Sequence, residues 1–485
     1  MRCCAERRWA WVLGGCAAGL AVIAGVWCFV LSQTPARLAK PSAHLIHRLD
    51  LWASIAHARL PVPTSRQGIA EVVLLTTALG FALYAAALRA CWNREATRGR
   101  LAAVTGGALV FFVITVLALP TLNTDIYEYM TTGHVASSHG SNPYAVPADA
   151  FPADPAYAYT DRRYTSVPGD NKLGAWTVMD VGLAELTGPD VVTGLLTYRV
   201  VLAACGAVSL LLIVLLLRRL RPQAQLAGVV AYGWNPIVIL GAPTKVDSVM
   251  VVFLLAGTLA LVAGRRRLAG VGLALSALVK LVSLPLLAVR WLGMLRRRRW
   301  TELALESVLV AATVALVYAP FLGAPGLLGR ELHLLQTGGS SAPRAAAGVV
   351  FLVLVLIVGL RQDGSPQRLV RGWALVSLAF AALLPDLGFS WYLLVPIAVV
   401  SLTASAPLLA AMTAVCIAPF GMDLWRTDGR GPVPRDVLAG AGALMALALA
   451  GAALALVVQR RRAAARGAGP ADETEAHPTP LKQGT

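Results

Sequence analysis

Long apolar runs separated by short clusters of arginine constrain this chain more than any other feature. A helix that crosses a membrane needs about 20 apolar residues, because each residue advances it by ~1.5 Å through a hydrocarbon core of ~30 Å. Runs of this kind recur along most of the 485 residues. Since 57% of the residues are hydrophobic and only 14% are charged, the chain has too little polar surface for a soluble globular or disordered protein. The sequence predicts an all-α polytopic membrane protein.

The apolar runs also predict how many helices cross the membrane. The stretch 268–295 lies between two arginine clusters that should share one side of the membrane, so the chain must cross an even number of times there. Its length fits two short helices that meet near Lys280, and the expected total is then about 12–14. The other runs are 9–31, 68–90, 101–120, 191–217, 226–242, 247–263, 302–322, 346–360, 372–384, 391–404, 407–421 and 436–458.

The placement of positive charge indicates the orientation. The net charge is +17, from 42 Lys and Arg against 25 Asp and Glu. Cytoplasmic loops carry an excess of Lys and Arg, so the clusters predict a multi-pass protein of the plasma membrane with both termini cytoplasmic. Nucleic acid is not expected as a partner, because no exposed basic surface with a recognisable binding element accompanies the charge. The clusters lie at 7–8, 218–219, 265–267, 296–299 and 460–462.

The domain organisation follows from the same pattern. Residues 1–462 are expected to form one transmembrane domain, and the polar, Ala/Gly/Pro-rich segment 463–485 predicts a disordered cytoplasmic tail. Within the domain, residues 121–190 break the hydrophobic pattern with nine acidic and three basic residues. Because this segment follows a span that should run outwards, it is predicted to be a long extracytoplasmic loop. Long loops of this kind are usually functional.

The start of this loop predicts a helix with a polar face. Asp125, Glu128, Tyr129 and Thr132 follow i, i+3, i+4, i+7 spacing, and the helix is expected to end at Gly140. Such short amphipathic helices should lie along the outer membrane surface. A structural interpretation of Asp125 stays open, in which it caps the helix and Glu128 completes a capping-box-like pair.

Several motifs in fixed order resemble a known family. Segment 123–129 reads Asn-Thr-Asp-Ile-Tyr-Glu-Tyr and is followed by Gly133 and by Asn-Pro-Tyr at 142–144. The set resembles the GT-C membrane glycosyltransferases, and most of all the actinobacterial polyprenol-phosphomannose-dependent mannosyltransferases, over most of residues 101–405. The later motifs are Trp234-Asn235-Pro236, Lys245-Val246-Asp247, Ala277-Leu278-Val279-Lys280 and Trp391-Tyr392. The chain departs from the family at three places. Thr124 stands where the family often has a first Asp, and Lys245 lies near the position where the family usually has a His or Asn. Val-Pro-Gly-Asp at 167–170 replaces the family's Tyr/Pro-Pro or Tyr-Gly-Pro element.

The resemblance implies a fold and a reaction. The fold would be a GT-C-like bundle whose first long outer loop is catalytic. The reaction would move a sugar, with mannose the first choice, from a polyprenyl phosphate to a hydroxyl of a cell-envelope glycan or glycolipid, inverting the anomeric carbon. An alcohol is a poor nucleophile, so a carboxylate must take its proton. Asp125 has this role by resemblance.

The resemblance also suggests which residues hold the substrates. The leaving lipid phosphate develops negative charge, for which Lys280 is the first candidate, with Arg162 and Arg163 as weaker ones. Two structural interpretations stay open: Lys280 pairs with an acidic neighbour at the hairpin apex, and Lys245 pairs with Asp247. The expected substrate-lining residues are Glu128, Tyr129, Asn142, Tyr144, Lys245, Asp247, Trp391 and Tyr392.

The expected partners are the lipid-linked sugar donor, the glycan or glycolipid acceptor and membrane lipids. No cofactor is expected beyond the polyprenyl-phosphate sugar as co-substrate. No metal is expected either, because hard divalent cations need several oxygen ligands and the 124–125 position offers one carboxylate. Two alternatives stay open. A transporter or lipid flippase would share the spans and the intramembrane Lys, and the departures from the family allow a catalytically degenerate GT-C scaffold.

Overall fold

The protein is built from helices throughout the part of the chain that the structure describes. Helices of membrane-spanning length and composition occur six times in those residues, which confirms the prediction of an all-α membrane protein. The total of 12–14 spans stays a prediction. The computed structural model describes residues 2–33, 66–92, 94–117, 125–160, 168, 173–323, 342–383, 389–427 and the isolated positions 450, 451, 454, 457, 458 and 461.

Three long helices open the chain: α1 (Arg2–Gln33), α2 (Arg66–Cys91) and α3 (Arg98–Val116). They occupy the first three predicted spans. α1 packs on α2, where the Trp27 indole N–H donates to the Thr76 hydroxyl at 3.0 Å. Gly80 lets this indole approach, since a Cβ on Gly80 would lie 3.1 Å from the ring. The contact satisfies the only polar atom of a fully buried tryptophan.

The predicted outer loop contains two helices, α4 (Asp125–Ser137) and α5 (Gly174–Thr187). Every residue of α4 from Ile126 to Val135 is buried. The expectation of an amphipathic helix on the surface is therefore wrong for α4, because α5 covers it at close range. A Cβ on Gly133 would lie 2.7 Å from the Ala184 Cβ. α4 ends three residues before Gly140, which adopts a left-handed conformation with φ +61°.

α6 (Val191–Leu220) is the longest described helix after α1 and carries Arg218 and Arg219 in its last turn. The Asp190 carboxylate accepts the Thr193 N–H at 3.0 Å and caps its start. The single span predicted at 226–242 is wrong in detail, because it divides into α7 (Gln225–Gly233) and α8 (Pro236–Gly241). Asn235 caps α8 through the Ile237 N–H, and Pro236 cannot continue α7.

The next three helices are α9 (Asp247–Val262), α10 (Arg266–Val279) and α11 (Leu284–Arg296). The prediction of two short helices that meet near Lys280 is confirmed by α10 and α11, which have 14 and 13 residues. α10 lies close against α9, since a Cβ on Gly272 would be 2.6 Å from the Gly257 Cα. Small residues allow this approach between membrane helices.

The remaining described helices are α12 (Trp300–Tyr318), α13 (Ala342–Leu360), α14 (Pro366–Leu383), α15 (Leu394–Thr403) and α16 (Ala406–Thr427). A 3-10 turn at Ser390–Leu393 precedes α15, so the span predicted at 391–404 starts irregularly. Most of the span predicted at 436–458 lies outside the described residues, and the predicted tail 463–485 lies outside them completely.

The arginine clusters at the ends of α6, α9 and α11 define what is called here the arginine-rich end of the protein. A buried ion pair lies near it, between Arg290 of α11 and Glu306 of α12. The Arg290 Nε donates to Glu306 at 2.8 Å and a second guanidinium nitrogen at 2.6 Å, and the Trp291 indole adds a third donor at 3.2 Å. Two parallel hydrogen bonds of this kind fix both side chains.

We expect Glu306→Gln to lower the free energy of unfolding by about 3 kcal/mol, because it leaves the Arg290 charge buried without a counter-ion. Glu302 is the matched control, since it forms exposed pairs with Arg266 and Arg299 whose loss should cost under about 1 kcal/mol. Thermal unfolding of the two purified variants measures the difference. Equal shifts would contradict a structural role for the buried pair.

Candidate active site

Lys245 is fully buried in the turn between α8 and α9. Its Nζ lies 3.2 Å from the Asp125 Oδ2 at the start of α4. The same ammonium lies 3.7 Å from the centroid of the Trp391 ring, within the range of a cation–π interaction. A lysine charge in an apolar interior is stable only with such partners. The ion pair between Lys245 and Asp125 therefore joins the predicted outer loop to the helical bundle.

Lys280 forms the second pair, at the apex between α10 and α11. Its Nζ lies 3.3 and 3.4 Å from the two carboxylate oxygens of Asp247, the first residue of α9. It also lies 3.7 Å from the centroid of the Tyr392 ring. The structural interpretation of Lys280 as one half of an ion pair is confirmed. Among the described salt bridges, Lys245 is paired with Asp125 and Asp247 with Lys280, and Asp247 contributes to Lys245 only as a weaker, longer-range charge.

Adjacent aromatic residues join the two ion pairs, because Trp391 lies under one ammonium and Tyr392 under the other. Their 3-10 turn is held by Asp423 of α16, whose carboxylate accepts the Ser390 N–H. The Phe389 ring stacks on Trp391 with the centroids 4.5 Å apart. Asp423 also acts electrostatically on Lys245. We call Asp125, Lys245, Asp247, Lys280, Trp391, Tyr392 and Asp423 the charged cluster.

The sequence-based analysis missed Asp423. A signal was present, because Asp423 is the single acidic residue of the largely apolar helix α16, and an ionisable residue in such a segment is by default a functional candidate. Ser390 acts through its backbone, so no side-chain motif could have indicated it.

Exposure separates the members of each ion pair. The Asp125 and Lys280 side chains are 18% and 12% exposed, whereas Lys245 and Asp247 are each 1% exposed. In one pair the partly exposed group is the Asp125 carboxylate, and in the other it is the Lys280 ammonium. The counter-ion of each is buried. Such an arrangement can accept a proton at one point and hold an anion at another.

A backbone hydrogen bond places the hairpin apex beside the predicted loop. The Leu173 N–H, just before α5, donates to the Val279 C=O at 3.2 Å. Lys280 is the next residue, so the apex reaches the part of the chain where Asp125 and α5 lie.

The other expected lining residues have described contacts that support the loop. Asn142 donates to the Phe321 C=O at 3.1 Å, and the Tyr144 hydroxyl shares a hydrogen bond of 2.8 Å with Thr177. Tyr129 is fully buried against Trp176, with centroids 5.0 Å apart, and Glu128 is buried in the same helix. Their predicted role in lining a substrate site stays a prediction.

Several expected positions lie outside the described residues, namely Arg162, Arg163, Thr124 and the departure at 167–170 apart from Pro168. Among the side chains that the structure does describe, no group of three or more His, Cys, Asp or Glu is placed to hold a metal ion. The expectation of a site without metal remains a prediction.

A second buried polar cluster, missed from the sequence, lies in the same segment. The His134 Nδ1 contacts both carboxylate oxygens of Asp154 at 3.1 and 2.9 Å, and the His134 Nε2 lies 3.2 Å from the Gly188 C=O. The His139 Nε2 lies 3.2 Å from the same carboxylate. Burial tends to raise the pKa of Asp154, but the hydrogen bonds and charge of His134, with the Ala156 N–H, hold this pKa below the ordinary 3.8. The contact ties α4 to the loop that follows it.

Comparison with protein-family models, with curated proteins and with solved structures gives no match to this chain.

The lowered pKa of Asp154 predicts a pH-dependent stability. A carboxyl whose folded pKa lies below its unfolded value of 3.8 stabilises the fold above that pH and loses its contribution as the pH falls through the folded value. We expect wild type to unfold at a higher temperature than Asp154→Asn from pH 7 to about 5, with the gap closing below about 4. Asp149→Asn, in the same loop, is the control. A gap that persists unchanged at pH 3 would contradict the ionic origin.

Proposed function

We propose that this protein is a membrane glycosyltransferase that moves a sugar, with mannose the first choice, from a polyprenyl phosphate to a hydroxyl of a cell-envelope glycan or glycolipid. One observation carries the proposal. The charged cluster contains a partly exposed carboxylate, that of Asp125, and a partly exposed ammonium, that of Lys280, and each is paired with a buried counter-ion. The resemblance to GT-C enzymes supports it, because both residues fall on that family's motifs.

Asp125 is the proposed general base. As the acceptor oxygen forms a bond to the anomeric carbon, its proton has to leave, and a carboxylate within hydrogen-bond reach takes it. Lys245 stabilises the ionised carboxylate through the 3.2 Å contact and holds it in one orientation. Asp125 is the more exposed partner, so an acceptor can reach it. The bond to the phosphate oxygen breaks on the opposite face of the sugar, and the anomeric configuration inverts.

Lys280 is the proposed partner of the donor phosphate. The leaving polyprenyl phosphate gains negative charge as the glycosidic bond breaks, and a fixed ammonium stabilises that charge most where water is scarce. Asp247 and Tyr392 hold the ammonium in place. The lipid donor cannot leave the bilayer, which suits a site between membrane helices.

The distribution of charge supports an orientation for the proposed enzyme. α6 carries Arg218 and Arg219 at one end and follows Asp190 at the other, and the predicted loop with Asp125 lies towards the Asp190 side. With the arginine-rich end in the cytoplasm, the charged cluster would face the outside, and both termini would be cytoplasmic. A GT-C-like bundle of about 12–14 helices is part of this proposal.

The first test separates catalysis from helix capping. We expect Asp125→Asn to abolish sugar transfer, because an amide cannot accept the proton, while Asn preserves a cap. Asp190→Asn is the matched control, since Asp190 also lies at a helix start and is exposed. The measurement is transfer of radiolabel from polyprenyl-phosphate mannose to endogenous acceptors in membranes, run in parallel with a polyprenyl-phosphate arabinose donor. Unimpaired transfer by Asp125→Asn at normal protein level would refute the catalytic role.

The second test concerns the donor. Lys280→Ala should raise the donor KM about tenfold or more and change the acceptor KM by less than about twofold, because the ammonium is proposed to hold the donor phosphate. Lys280→Arg keeps the charge and should restore part of the donor affinity, which a merely structural defect would not show. Equal effects on both KM values would contradict the assignment.

A lipid or sugar transporter is the second candidate. The two neighbouring Lys–Asp ion pairs favour it, because series of ionisable residues within the membrane also relay protons in transporters. Proteoliposomes with a labelled polyprenyl-phosphate sugar distinguish the two. Translocation of the labelled lipid without transfer to an acceptor would support the transporter. Transfer that depends on Asp125 would support the enzyme.

A further inference from the structure

A strongly positive surface lies where the start of α10 meets the turn between α11 and α12. Glu302 of α12 joins these two segments. One of its carboxylate oxygens lies 3.2 Å from the Arg266 Nη1 at the start of α10, and the other lies 3.2 Å from the Arg299 Nη1 just before α12. We call residues 265–268 and 295–300 the basic surface. It lies at the arginine-rich end and shares no residue with the charged cluster.

The positive charge of the basic surface exceeds what its neighbours neutralise. Seven of its residues are arginines, at 265–267 and 296–299. Arg265, Arg267 and Arg298 are exposed, and within the described part of the chain their guanidinium groups have no hydrogen-bond or ion-pair partner. Burial and then the positive charge of Arg299 lower the pKa of the Arg297 guanidinium. The surface therefore offers charge to an anion from outside the chain.

Arg298 occupies a position that favours glycine. Its φ is +54°, in the left-handed region where a Cβ crowds the backbone. It follows the end of α11, where the Arg299 N–H donates to the Met294 C=O at 3.1 Å, in a helix-ending motif that usually has glycine at this point. α9 ends in the same motif with Gly264, at φ +78°. The chain thus holds an exposed arginine where glycine would be less strained, which points to a use for its side chain.

Apolar side chains border these arginines. Leu268 of α10, Leu295 of α11 and Trp300 of α12 each follow or precede an arginine of the basic surface directly, and all three are exposed, Trp300 by 59%. A nucleic acid or an acidic peptide would match the charge but leave these side chains in water. A phospholipid matches both features, because it combines an anionic headgroup with apolar chains.

We propose that the basic surface binds anionic phospholipids of the leaflet at the arginine-rich end. The lipid phosphates contact Arg265, Arg267 and Arg298. The acyl chains lie against Leu268 and Trp300. Arginine suits this ligand because several N–H groups of one guanidinium can donate to the oxygens of one phosphate. The site is independent of the proposed glycosyltransferase reaction, because no residue of the charged cluster takes part.

The test follows the thermal unfolding of the full chain in nanodiscs. Discs of phosphatidylcholine alone are compared with discs that also contain phosphatidylglycerol, which is anionic. A ligand that binds only the folded state raises the unfolding temperature, and we expect a rise of roughly 3 °C or more with phosphatidylglycerol. Inorganic phosphate added to phosphatidylcholine discs should give no rise, because it cannot cover the apolar side chains. The proposal is overturned if phosphatidylglycerol gives no rise or if inorganic phosphate gives an equal one.

The specificity of the effect is tested with two double variants of equal charge. Arg265→Gln/Arg267→Gln should remove most of the rise and leave the ion pairs of Glu302 in place. Arg218→Gln/Arg219→Gln is the matched control and should keep the rise, because both arginines are exposed in the last turn of α6, outside the basic surface. Equal losses in the two variants would overturn the proposal, since they would indicate general attraction to positive charge.

A single variant separates lipid binding from stability. Arg298→Gly should keep the unfolding temperature in phosphatidylcholine discs at or above that of wild type, because glycine relieves the left-handed strain. The same variant should show a smaller rise with phosphatidylglycerol. A defect in folding would lower both quantities. An undiminished rise in this variant would contradict the contact between Arg298 and lipid.

Discussion

The free-energy cost of burying a charge is the constraint on which the contacts of the charged cluster depend. Lys245 is almost completely buried, and an unpaired ammonium in an apolar interior is unstable by several kcal/mol. The structure meets this cost with the Asp125 carboxylate and the face of Trp391. These partners come from two elements distant in sequence, so the requirement brings the start of α4 and the turn before α15 together at the junction of α8 and α9.

The same requirement fixes the hairpin of α10 and α11. Without Asp247 and Tyr392, the Lys280 ammonium would lie among apolar helices without a stabilising partner from the charged cluster. The backbone hydrogen bond from the Leu173 N–H to the Val279 C=O joins the hairpin apex to the loop. Because Trp391 and Tyr392 are adjacent, one short turn orients both ammonium groups, and Asp423 holds that turn through Ser390. Asp125, the proposed base, and Lys280, the proposed ligand of the phosphate, are thus linked through this turn, because it contacts Lys280 directly and Asp125 through Lys245.

Buried ion pairs recur elsewhere in the described residues but differ in exposure. Arg290 and Glu306 are both buried, and so are His134 and Asp154, so these pairs have no member turned outwards and act as ties between elements. In the charged cluster, Asp125 and Lys280 keep part of their surface. That difference is the physical reason for placing chemistry there, since a substrate can contact only a group that it can reach.

The sequence by itself determined the helical membrane class, the short hairpin at Lys280 and the helix that starts at Asp125, because hydrophobic run length and charge placement are local properties of the chain. It also indicated most members of the charged cluster, through a resemblance of ordered motifs. It could not determine which lysine forms a salt bridge with which aspartate, because it left open a local pair of Lys245 with Asp247, whereas the salt bridges join Lys245 to Asp125 and Lys280 to Asp247. Only the tertiary structure decided that, since Asp125 is 120 residues from Lys245 in the chain. It also decided that α4 is buried, because Gly133 packs closely against Ala184 of α5. The polar face of α4 alone gives no indication of this contact.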